Sequence, residues 1–565
     1  MNRPPEHDVD RDFVALPDAL PELVGLFDPN YFRQSRWFGD KDLDVSRISV
    51  VDYFSHRLPC TDSCPDKIAI FAILRFHLES SRGEDTTRQD YFIPLVFTHL
   101  GPGGPLPAGP ISVSAPVERE PLLIIHGPSC RATVYDGLGD PDFVAGYSLL
   151  VSKAASIPGN HGTFEFRPVP AGDTRIWSEP GRIERVSGEY SNSLVITGNG
   201  LIHKAFRRLS PGRSPELEIN LALKAGGRFN RMAPVRGYVS YRPRDGTEVT
   251  LILAQEFIPN EGDAWELVTR LARDYYEGCR ACKLSGGQLS SGQGGTAEFN
   301  ASNALGALEE TAAGMGGLLA ELHSALASVP GKAFEPDPVG VKDIEEWIQL
   351  VRRRSEEALD VAPGVARGTS REREPRGGTA LEKLTGIHGE LREYLGRMHD
   401  YLASLARSGD LGKKIRIHGD LHLGQWIKAK DGFYILDFEG EPLLSPGERR
   451  AKRCPLADVS GMLRSFSYAS YVSLAPGAEG LRPRVEATLS EAFLRSYLGR
   501  IYELAPGLMP VSEQEVRTML SLFNLSKALY ELIYEAKSRP DWVEIPLNGV
   551  LDCLSEIEIH FRKDS

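Results

Sequence analysis

The chain has 565 residues, of which 41% are hydrophobic and 25% charged, and its formal net charge is −12. This composition is typical of a soluble globular protein, and the length is enough for more than one domain. The negative charge argues against nucleic acid or an anionic membrane as the main partner. The sequence shows no signal-peptide pattern and no apolar run of membrane-spanning length, so we expect a cytoplasmic protein.

The seven cysteines include two close pairs, Cys60 with Cys64 and Cys279 with Cys282. Four thiolates could in principle hold zinc. The two pairs lie far apart in the chain, however, and neither is accompanied by histidines at zinc-ligand spacing. We therefore expect reduced cytosolic thiols rather than a zinc site.

Residues 1–180 are rich in short apolar runs of β-branched and aromatic residues, which Gly- and Pro-rich turns separate. This pattern predicts a β-rich N-terminal module. The predicted strands include residues 48–54, 68–78, 91–97 and 163–167, and one predicted helix covers residues 147–156.

Residues 181–262 predict a second β-rich segment. Gly198-Asn199-Gly200 joins the predicted strands 193–197 and 201–207, which is a strong hairpin signal. The helix predicted at 216–225 begins after Ser214-Pro215. Two further strands are predicted at 238–242 and 249–257.

Residues 263–565 predict a mainly helical region. Its helices include residues 263–276, 311–327 and 381–408, and two short strands are predicted at 426–427 and 433–436. Two stretches, 285–295 and 363–378, have the composition of mobile or disordered connections. A β-rich lobe followed by a helical lobe favours a cleft in which a nucleotide could bind.

The clearest chemical signal is I-H-G-D-L-H-L-G-Q-W at 417–426, followed by Y-I-L-D-F-E-G-E-P at 434–442. Phosphoryl transfer to a hydroxyl needs a carboxylate for the hydroxyl proton and oxygen ligands for Mg²⁺. Asp420, Gln425 and Asp437 supply these groups at the spacing of the kinase H-R-D-x-x-x-x-N and D-F-G motifs. Taken alone, either aspartate would more often have a structural role than a catalytic or metal-binding one. Together they predict that Asp420 is catalytic and that Gln425 and Asp437 bind the metal.

These motifs resemble those of the maltokinases, in the aminoglycoside-phosphotransferase-like group of the protein-kinase-like fold. The resemblance extends to residues 34–41, where Ser35 is an extra residue, and to 204–218, 255–260 and 528–540. It implies an α+β, bilobal protein-kinase-like fold with an N-terminal β-rich cap module. The implied divisions are the cap module at 1–180, the small lobe at 181–262 and the helical large lobe at 263–565.

The resemblance also implies roles in ATP binding. Lys204 matches the small-lobe lysine that contacts the α and β phosphates, and a compact ammonium suits that task. Glu218 on the following helix would pair with Lys204, and Glu216 is a competitor for that role. Ser191 and Asn192 match the turn that covers the phosphates, where backbone N–H groups could hold phosphate oxygens.

The segment 255–258, which includes Gln255 and Phe257, matches the hinge whose backbone would bind adenine. A plain buried strand explains those residues equally well. In the large lobe, His418 is interpreted as a histidine that braces the loop, and the role of His422 stays open. Asp458 resembles the aspartate that steadies the catalytic loop in related phosphotransferases.

A sugar site needs carboxylates, amides and aromatic rings around hydroxyl groups. Tyr530 with Tyr534 and Glu531 with Glu535 are i, i+4 pairs on one predicted helix, which places them in neighbouring stripes. A solvated amphipathic face is the alternative interpretation. The candidate sugar contacts are Glu439, Glu441, Arg464, Tyr468, Tyr530, Glu531, Tyr534 and Glu535.

The resemblance implies that ATP and Mg²⁺ are the cofactors and that maltose is phosphorylated at its anomeric hydroxyl. The product, maltose 1-phosphate, would feed α-glucan and glycogen synthesis. One alternative is a kinase of another sugar such as glucosamine, for which an amine acceptor should demand extra carboxylates. The other is a non-catalytic partner of a trehalose- or glucan-metabolising enzyme.

Overall fold

The computed structural model describes residues 6–8, 13–58, 66–80, 86–100, 121–126, 131–170, 175–177, 181–186, 192–244, 246–284, 296–368, 380–442, 444–539 and 542–562. The chain divides into two compact units. The first comprises Met1–Leu221 and Ala233–Ile258, and the second comprises Ala222–Met232 and Pro259–Ser565.

The first unit begins with a six-stranded sheet and two short helices, α1 (Leu20–Leu23) and α2 (Pro29–Gln34). The strand order is β1-β5-β6-β4-β3-β2, and only the β1–β5 pair is parallel. Phe32 of α2 packs edge-on against Phe76, with ring centroids 5.1 Å apart. The strands are β1 (Glu6–Asp8), β2 (Asp44–Arg57), β3 (Lys67–Glu79), β4 (Thr86–His99), β5 (Leu123–His126) and β6 (Arg131–Asp136). The strands predicted at 48–54, 68–78 and 91–97 are confirmed within β2, β3 and β4.

Helix α3 (Pro141–Ser152) follows the first sheet. The Asp140 side chain caps it by accepting hydrogen bonds from the amides of Asp142 and Phe143, at 2.8 and 3.2 Å. The predicted bounds of 147–156 were wrong, because the Asp140-Pro141 start signal lies further upstream. The helix ends before Ala154, which adopts a left-handed backbone with φ of 48°.

A seven-stranded antiparallel sheet forms the rest of the first unit, in the order β7-β8-β12-β13-β11-β10-β9. The hairpin predicted at Gly198-Asn199-Gly200 is confirmed between β10 and β11, and Gly200 supplies a positive φ of 80°. Helix α4 (Pro215–Gly226) follows β11. The strands are β7 (Ser156–Pro158), β8 (Gly162–Pro168), β9 (Ile183–Arg185), β10 (Ser193–Thr197), β11 (Leu201–Ala205), β12 (Val235–Pro243) and β13 (Val249–Glu256).

The two sheets share one hydrophobic core. Phe54 and Phe71 of the first sheet contact Phe164 and Phe166 of the second, with centroids 4.9 and 5.5 Å apart for the pairs Phe54–Phe164 and Phe71–Phe166. Strands β7 and β8 precede residue 180 and yet belong to the second sheet. The domain boundary expected at 180 therefore falls inside one continuous unit.

The second unit is mainly helical, as expected. It also contains two small two-stranded sheets, β14 (Asp337–Pro338) with β15 (Lys413–Lys414) and β16 (Trp426–Ala429) with β17 (Gly432–Ile435). Its helices are α5 (Ala264–Leu284), α6 (Thr296–Ala327), α7 (Val341–Gly368), α8 (Ala380–Ser408), α9 (Pro446–Arg450), α10 (Leu456–Val472), α11 (Arg482–Leu504), α12 (Glu513–Ser538) and α13 (Glu544–Arg562).

Helix α7 continues to Gly368, so the disordered connection predicted at 363–378 was wrong for its first six residues. Pro363 lies inside α7, where it costs one helical hydrogen bond but does not by itself end the helix. Residues 369–379 and 285–295 lie outside the described residues.

No helix in the described part of the chain is long and apolar enough to cross a lipid bilayer. Cys279 and Cys282 are buried free thiols in α5, whereas Cys60 and Cys64 lie outside the described residues. Among the described side chains, no group of three or more His, Cys, Asp or Glu residues is arranged to hold a metal ion.

We expect Asp52→Asn to destabilise the first unit. The buried Asp52 carboxylate accepts hydrogen bonds from the amides of Asn160 (2.6 Å) and His161 (3.0 Å) and from the Tyr241 hydroxyl (2.8 Å). An asparagine would turn an NH₂ donor toward these donors, at a cost of roughly 1–3 kcal/mol in the free energy of unfolding. Urea unfolding measures the change, with the exposed Asp18→Asn as control. Equal midpoints for the two variants would contradict the expectation.

Candidate active site

A buried carboxylate of α10 holds the backbone of the loop 418–425, which carries the predicted catalytic Asp420. Asp458 accepts hydrogen bonds from the amides of His418 (2.8 Å) and Gly419 (2.9 Å). Gly419 has a φ of 86°, a left-handed conformation that favours glycine, and it directly precedes Asp420. Asp458 thus holds the backbone that leads to Asp420, as expected, while the catalytic role of the loop stays a prediction.

Asp458 is itself held by a chain of buried groups. His323 Nε2 lies 3.1 Å from Asp458 Oδ2, and His323 Nδ1 lies 2.9 Å from the Tyr497 hydroxyl. Burial pushes the pKa of Asp458 up, but the hydrogen bond and charge of His323, together with the loop amide of Gly419, outweigh it. The net pKa of Asp458 lies below its usual value, so the carboxylate stays an ionised acceptor.

His418 braces the loop from the other side, as the sequence predicted. Its Nε2 lies 2.8 Å from the Leu436 carbonyl, and its Nδ1 accepts the Asp420 amide at 3.3 Å. The His418 ring also packs against Phe438, with centroids 5.0 Å apart. The side chain is therefore fully engaged in shaping the loop.

The hairpin of β16 and β17 brings the two predicted metal ligands together. Trp426 pairs with Ile435, and the Leu436 amide donates to the Gln425 carbonyl at 2.8 Å. Asp437 follows Leu436 directly in the chain, so the backbone segments that carry Gln425 and Asp437 are neighbours. Because His418 also contacts Leu436, the segments that carry Asp420, Gln425 and Asp437 converge on this one residue.

Gln425 and Asp437 carry donor groups of the kind that suits a magnesium ion, and their role as ligands stays a prediction. Asp437 adopts a left-handed backbone with φ of 61°, a costly conformation for a residue other than glycine and one that is typical of functional sites. The Gln425 amide nitrogen lies 3.4 Å from His422 Nε2, which leaves the amide oxygen as a ligand. One carboxylate oxygen and one amide oxygen are hard donors, which Mg²⁺ prefers.

A pocket of about 440 Å³ opens beside Asp420 within the second unit. Residues of α7, of α12 and of the segment 441–454 line it, and its volume suits a small-molecule ligand. Asp420 lines the pocket, whereas Gln425 and Asp437 do not. The pocket therefore adjoins Asp420 without including the predicted metal ligands.

Lys527, which the sequence analysis missed, ties two carboxylates together in this pocket. Its Nζ lies 3.1 Å from Glu441 Oε1 and 3.7 Å from Asp420 Oδ1. Burial opposes the charge of Lys527, but Glu441 and Asp420 raise its pKa above the ordinary value. On α12, Lys527 precedes Tyr530 by three residues and Glu531 by four, so the predicted sugar-facing stripe was the signal that could have found it.

Of the eight candidate sugar contacts, Glu441 lines this pocket, whereas Tyr468 and the remaining six residues do not. Arg464 pairs with Glu531 (2.8 Å) and Glu535 pairs with Arg539 (2.7 Å). Tyr530 lies beneath the Lys527 ammonium, and Tyr534 lies beneath the Arg539 guanidinium. Sugar contacts by these residues stay a prediction. The six are Glu439, Arg464, Tyr530, Glu531, Tyr534 and Glu535.

In the first unit, the Lys204 ammonium forms a buried ion pair with Glu216, at 2.7 Å. The sequence analysis preferred Glu218 for this pairing and held Glu216 as the competitor. Because α4 begins at Pro215, Glu216 lies in its first turn with its side chain buried, while Glu218 is only half-buried. The structure thus gives an ion pair with Lys204 to Glu216, the competitor, and a contact of Glu218 with Lys204 stays a prediction.

The other predicted nucleotide contacts are less defined. Ser191 lies outside the described residues, and Asn192 directly precedes β10. Gln255 Nε2 donates to the Ala233 carbonyl at 3.2 Å, and the Phe257 amide donates to the Gly200 carbonyl at 2.8 Å. The Phe257 amide is therefore used within the sheet, and any adenine contact at this residue would need another group.

Comparison with known proteins supports the fold. No family model matches the chain. A glucosamine kinase of Mycolicibacterium smegmatis is 28% identical over 378 residues, which cover 65% of this chain and 79% of that protein. A glucosamine kinase of Streptacidiphilus jiangxiensis is 26% identical over 374 residues, which cover 65% of this chain and 72% of that protein.

Solved structures are similar over almost the whole chain. A glucosamine kinase in complex with glucosamine, ADP and inorganic phosphate has a TM-score of 0.57 at 18% identity, and the match covers 96% of this chain and 99% of that chain. Crystal form A of glucosamine kinase has a TM-score of 0.56 at 18% identity, and the match covers 94% of this chain and 97% of that chain. The chain has the fold of the glucosamine kinases. The predicted α+β kinase-like fold is thereby confirmed.

We expect Asp458→Asn to destabilise the second unit at neutral pH by roughly 2–3 kcal/mol, since an NH₂ group would face the loop amides. The folded pKa of Asp458 is lowered, so its stabilisation is present above the unfolded carboxyl pKa and is lost as the pH falls through the folded value. The difference in unfolding free energy between wild type and variant should therefore shrink in acid. Urea unfolding from neutral pH down to about pH 3 measures it.

The exposed Asp400→Asn is the matched control and should follow the wild type at every pH. A wild-type–variant difference for Asp458→Asn that stayed constant into acid would contradict the assigned role of its charge.

Proposed function

We propose that this chain is an ATP-dependent sugar kinase that transfers the γ-phosphoryl group to a sugar hydroxyl. The observation that carries the proposal is the braced loop that presents Asp420 at the wall of a pocket of about 440 Å³. The two predicted oxygen ligands, Gln425 and Asp437, flank the adjoining hairpin of β16 and β17. Sequence relatives over 65% of the chain that are named as sugar kinases support the same conclusion.

The chemistry follows from the position of these groups. The acceptor hydroxyl oxygen bonds to the γ-phosphorus, the bond from that phosphorus to the β-phosphate oxygen breaks, and ADP leaves with the electron pair. Asp420 orients the hydroxyl and accepts its proton. The Lys204 ammonium would offset negative charge on the phosphates, while a magnesium ion held by Gln425 and Asp437 would supply further charge neutralisation. Positioning and electrostatics account for most of the expected rate.

The names of the relatives favour glucosamine as the acceptor, which the sequence analysis held as the alternative. Maltose, giving maltose 1-phosphate for α-glucan synthesis, is the second candidate, because the H-G-D-L-H-L-G-Q and D-F-E-G-E-P motifs resemble those of maltokinases. A non-catalytic partner role is less well supported, since Lys204, Asp420, Gln425 and Asp437 are all present.

Asp420→Asn should lower kcat by about 10²–10⁴-fold, because the variant loses the carboxylate that accepts the hydroxyl proton. A coupled ADP-release assay with glucosamine, glucose and maltose measures turnover and ranks the acceptors. Asp360→Asn, at an exposed position of α7, is the control. Near-normal turnover of a correctly folded Asp420→Asn protein would refute the catalytic role.

Asp437→Asn should raise the Mg²⁺ concentration required for half-maximal ADP release by at least about 10-fold. Asparagine tolerates the left-handed backbone at this position, so the change tests the ligand rather than the local fold. Calorimetric titration of ADP with and without Mg²⁺ gives a readout that does not depend on turnover. The control is Asp431→Asn on the same hairpin, and equal Mg²⁺ requirements for both variants would remove Asp437 from the metal site.

A further inference from the structure

We propose that Lys527 is a positioning residue of the transfer reaction, whose ammonium orients the Asp420 carboxylate that receives the acceptor hydroxyl. The inference rests on the proposed kinase function and deepens it, because it adds to the site a side chain of α12 that lies outside the H-G-D-L-H-L-G-Q and D-F-E-G-E-P motifs. Contacts of Lys527 with Asp420, Glu441 and Tyr530 carry the inference.

The network around the loop 418–425 holds the backbone of Asp420 but not its carboxylate. Asp458 accepts the two preceding amides, and His418 Nδ1 accepts the Asp420 amide at 3.3 Å. The Asp420 side chain is 25% exposed at the wall of the pocket, so its carboxylate can rotate unless a further group holds it. A general base must meet the hydroxyl within hydrogen-bond reach, and such rotation would lower the rate.

Lys527 supplies a contact to this carboxylate. Its Nζ lies 3.7 Å from Asp420 Oδ1, which is an ion-pair distance rather than a hydrogen bond. Among the residues that the structure describes, no other cationic side chain forms an ion pair with Asp420. No described residue donates a hydrogen bond to the carboxylate, so its oxygens stay available to a hydroxyl.

Glu441 fixes the position of the ammonium. Lys527 Nζ donates a hydrogen bond to Glu441 Oε1 at 3.1 Å, and the Glu441 side chain is largely buried. Glu441 follows Gly440, whose backbone lies against the loop 418–425: a Cβ atom on Gly419 would lie 3.4 Å from the Gly440 Cα atom. Asp420 and Glu441 therefore belong to adjoining segments, and Lys527 reaches both of them from α12.

Tyr530 supports the ammonium from below. It follows Lys527 by three residues on α12, so the two side chains share one face of the helix, and Nζ lies 5.2 Å from the ring centre. Burial opposes the charge of Lys527, but Glu441 and Asp420 raise its pKa above the ordinary value. Lys527 is therefore a fixed ammonium in the pocket wall rather than a mobile surface lysine.

A fixed cation beside Asp420 suits the proposed reaction. Phosphoryl transfer depends mainly on positioning and electrostatics, because the protein has little covalent chemistry to perform. The acceptor oxygen attacks the γ-phosphorus and its proton passes to an Asp420 oxygen, whose direction the Lys527 charge would set. The positive charge would also reduce repulsion between the carboxylate and the phosphates of ATP. The alternative interpretation is that Lys527 only neutralises the buried Glu441.

Lys527→Met should lower kcat in the ADP-release assay by about 10–100-fold, the factor expected from loss of one charge-assisted contact. The assay uses MgATP and whichever of glucosamine, glucose and maltose the wild type phosphorylates fastest. The KM for MgATP should stay within about 2-fold, because the described contacts of Lys527 do not include the predicted nucleotide ligands. Lys537→Met, at an exposed position of the same helix, is the matched control and should keep the wild-type kcat.

A double-variant cycle shows whether Lys527 acts through Asp420. Asp420→Asn/Lys527→Met should have a kcat within about 2-fold of Asp420→Asn alone, because the first substitution already removes the carboxylate that Lys527 orients. If Lys527 only neutralised Glu441, its loss would lower kcat by the same factor in both backgrounds. That result would overturn the proposal, as would a wild-type kcat for folded Lys527→Met.

Restoring the charge gives a readout that a loss of packing would not move. Folded Lys527→Cys protein is treated with 2-bromoethylamine, which extends the new thiol to lysine length and ends it in an ammonium. This treatment should recover most of the lost kcat, whereas iodoacetamide, which adds a neutral group, should not. Wild-type protein treated in parallel shows any effect of the reagents at other cysteines. Equal kcat after the two reagents would contradict the positioning role.

A second variant covers the case in which Lys527→Met fails to fold because Glu441 has lost its partner. Lys527→Met/Glu441→Gln removes both charges, and Glu441→Gln alone is its reference. The double variant should again be about 10–100-fold slower than this reference. Equal kcat for the two would overturn the proposal.

The outcomes distinguish this inference from the proposed function. ADP release that depends on Asp420 but not on Lys527 would overturn the positioning role and leave the sugar kinase standing. Absence of ADP release by the wild type with every sugar would overturn the proposed function, and the inference about Lys527 with it.

Discussion

One buried carboxylate sets the position of the candidate catalytic group. Asp458 accepts the two amides that directly precede Asp420 from a position about 40 residues further along the chain. His323 and Tyr497 hold it in turn, so α6 and α11 contribute to the shape of the loop. Through His418 and Leu436 the same network reaches the hairpin with Gln425 and Asp437. The geometry of phosphoryl transfer therefore depends on packing inside the helical unit.

Much of this site could be predicted because its residues lie in short continuous motifs. Asp420, Gln425 and Asp437 lie within two neighbouring segments, and their order alone indicates how one hairpin can assemble them. The bracing contact of His418 could be expected from the same motif, whereas that of Asp458 came from the family resemblance. The pairing of Lys204 was harder to predict, because Glu216 and Glu218 lie in the same first turn of α4 and only burial distinguishes them.

The residues that sequence reasoning missed depend on how helices pack. Lys527 lies on α12 and shares its pocket with residues of α7, and no local spacing connects the two helices. Their meeting around one pocket results from tertiary contacts that a pattern within one segment cannot reveal. In the proposed function, the motif residues carry the transfer chemistry, and the helices around them shape the pocket beside Asp420. Chains with the same loop motif can therefore differ in the molecule they phosphorylate.

The strands β7 and β8 precede the boundary that the sequence suggested at 180, yet β8 pairs with β12 along its whole length. A shortened protein that started near that position would lose two strands of the second sheet. The N–H and C=O groups of β12 would then face solvent at a new sheet edge, and an unprotected edge of this kind favours pairing with other molecules. Expression of the kinase-like region alone is therefore expected to give aggregates unless the starting point lies before Ser156.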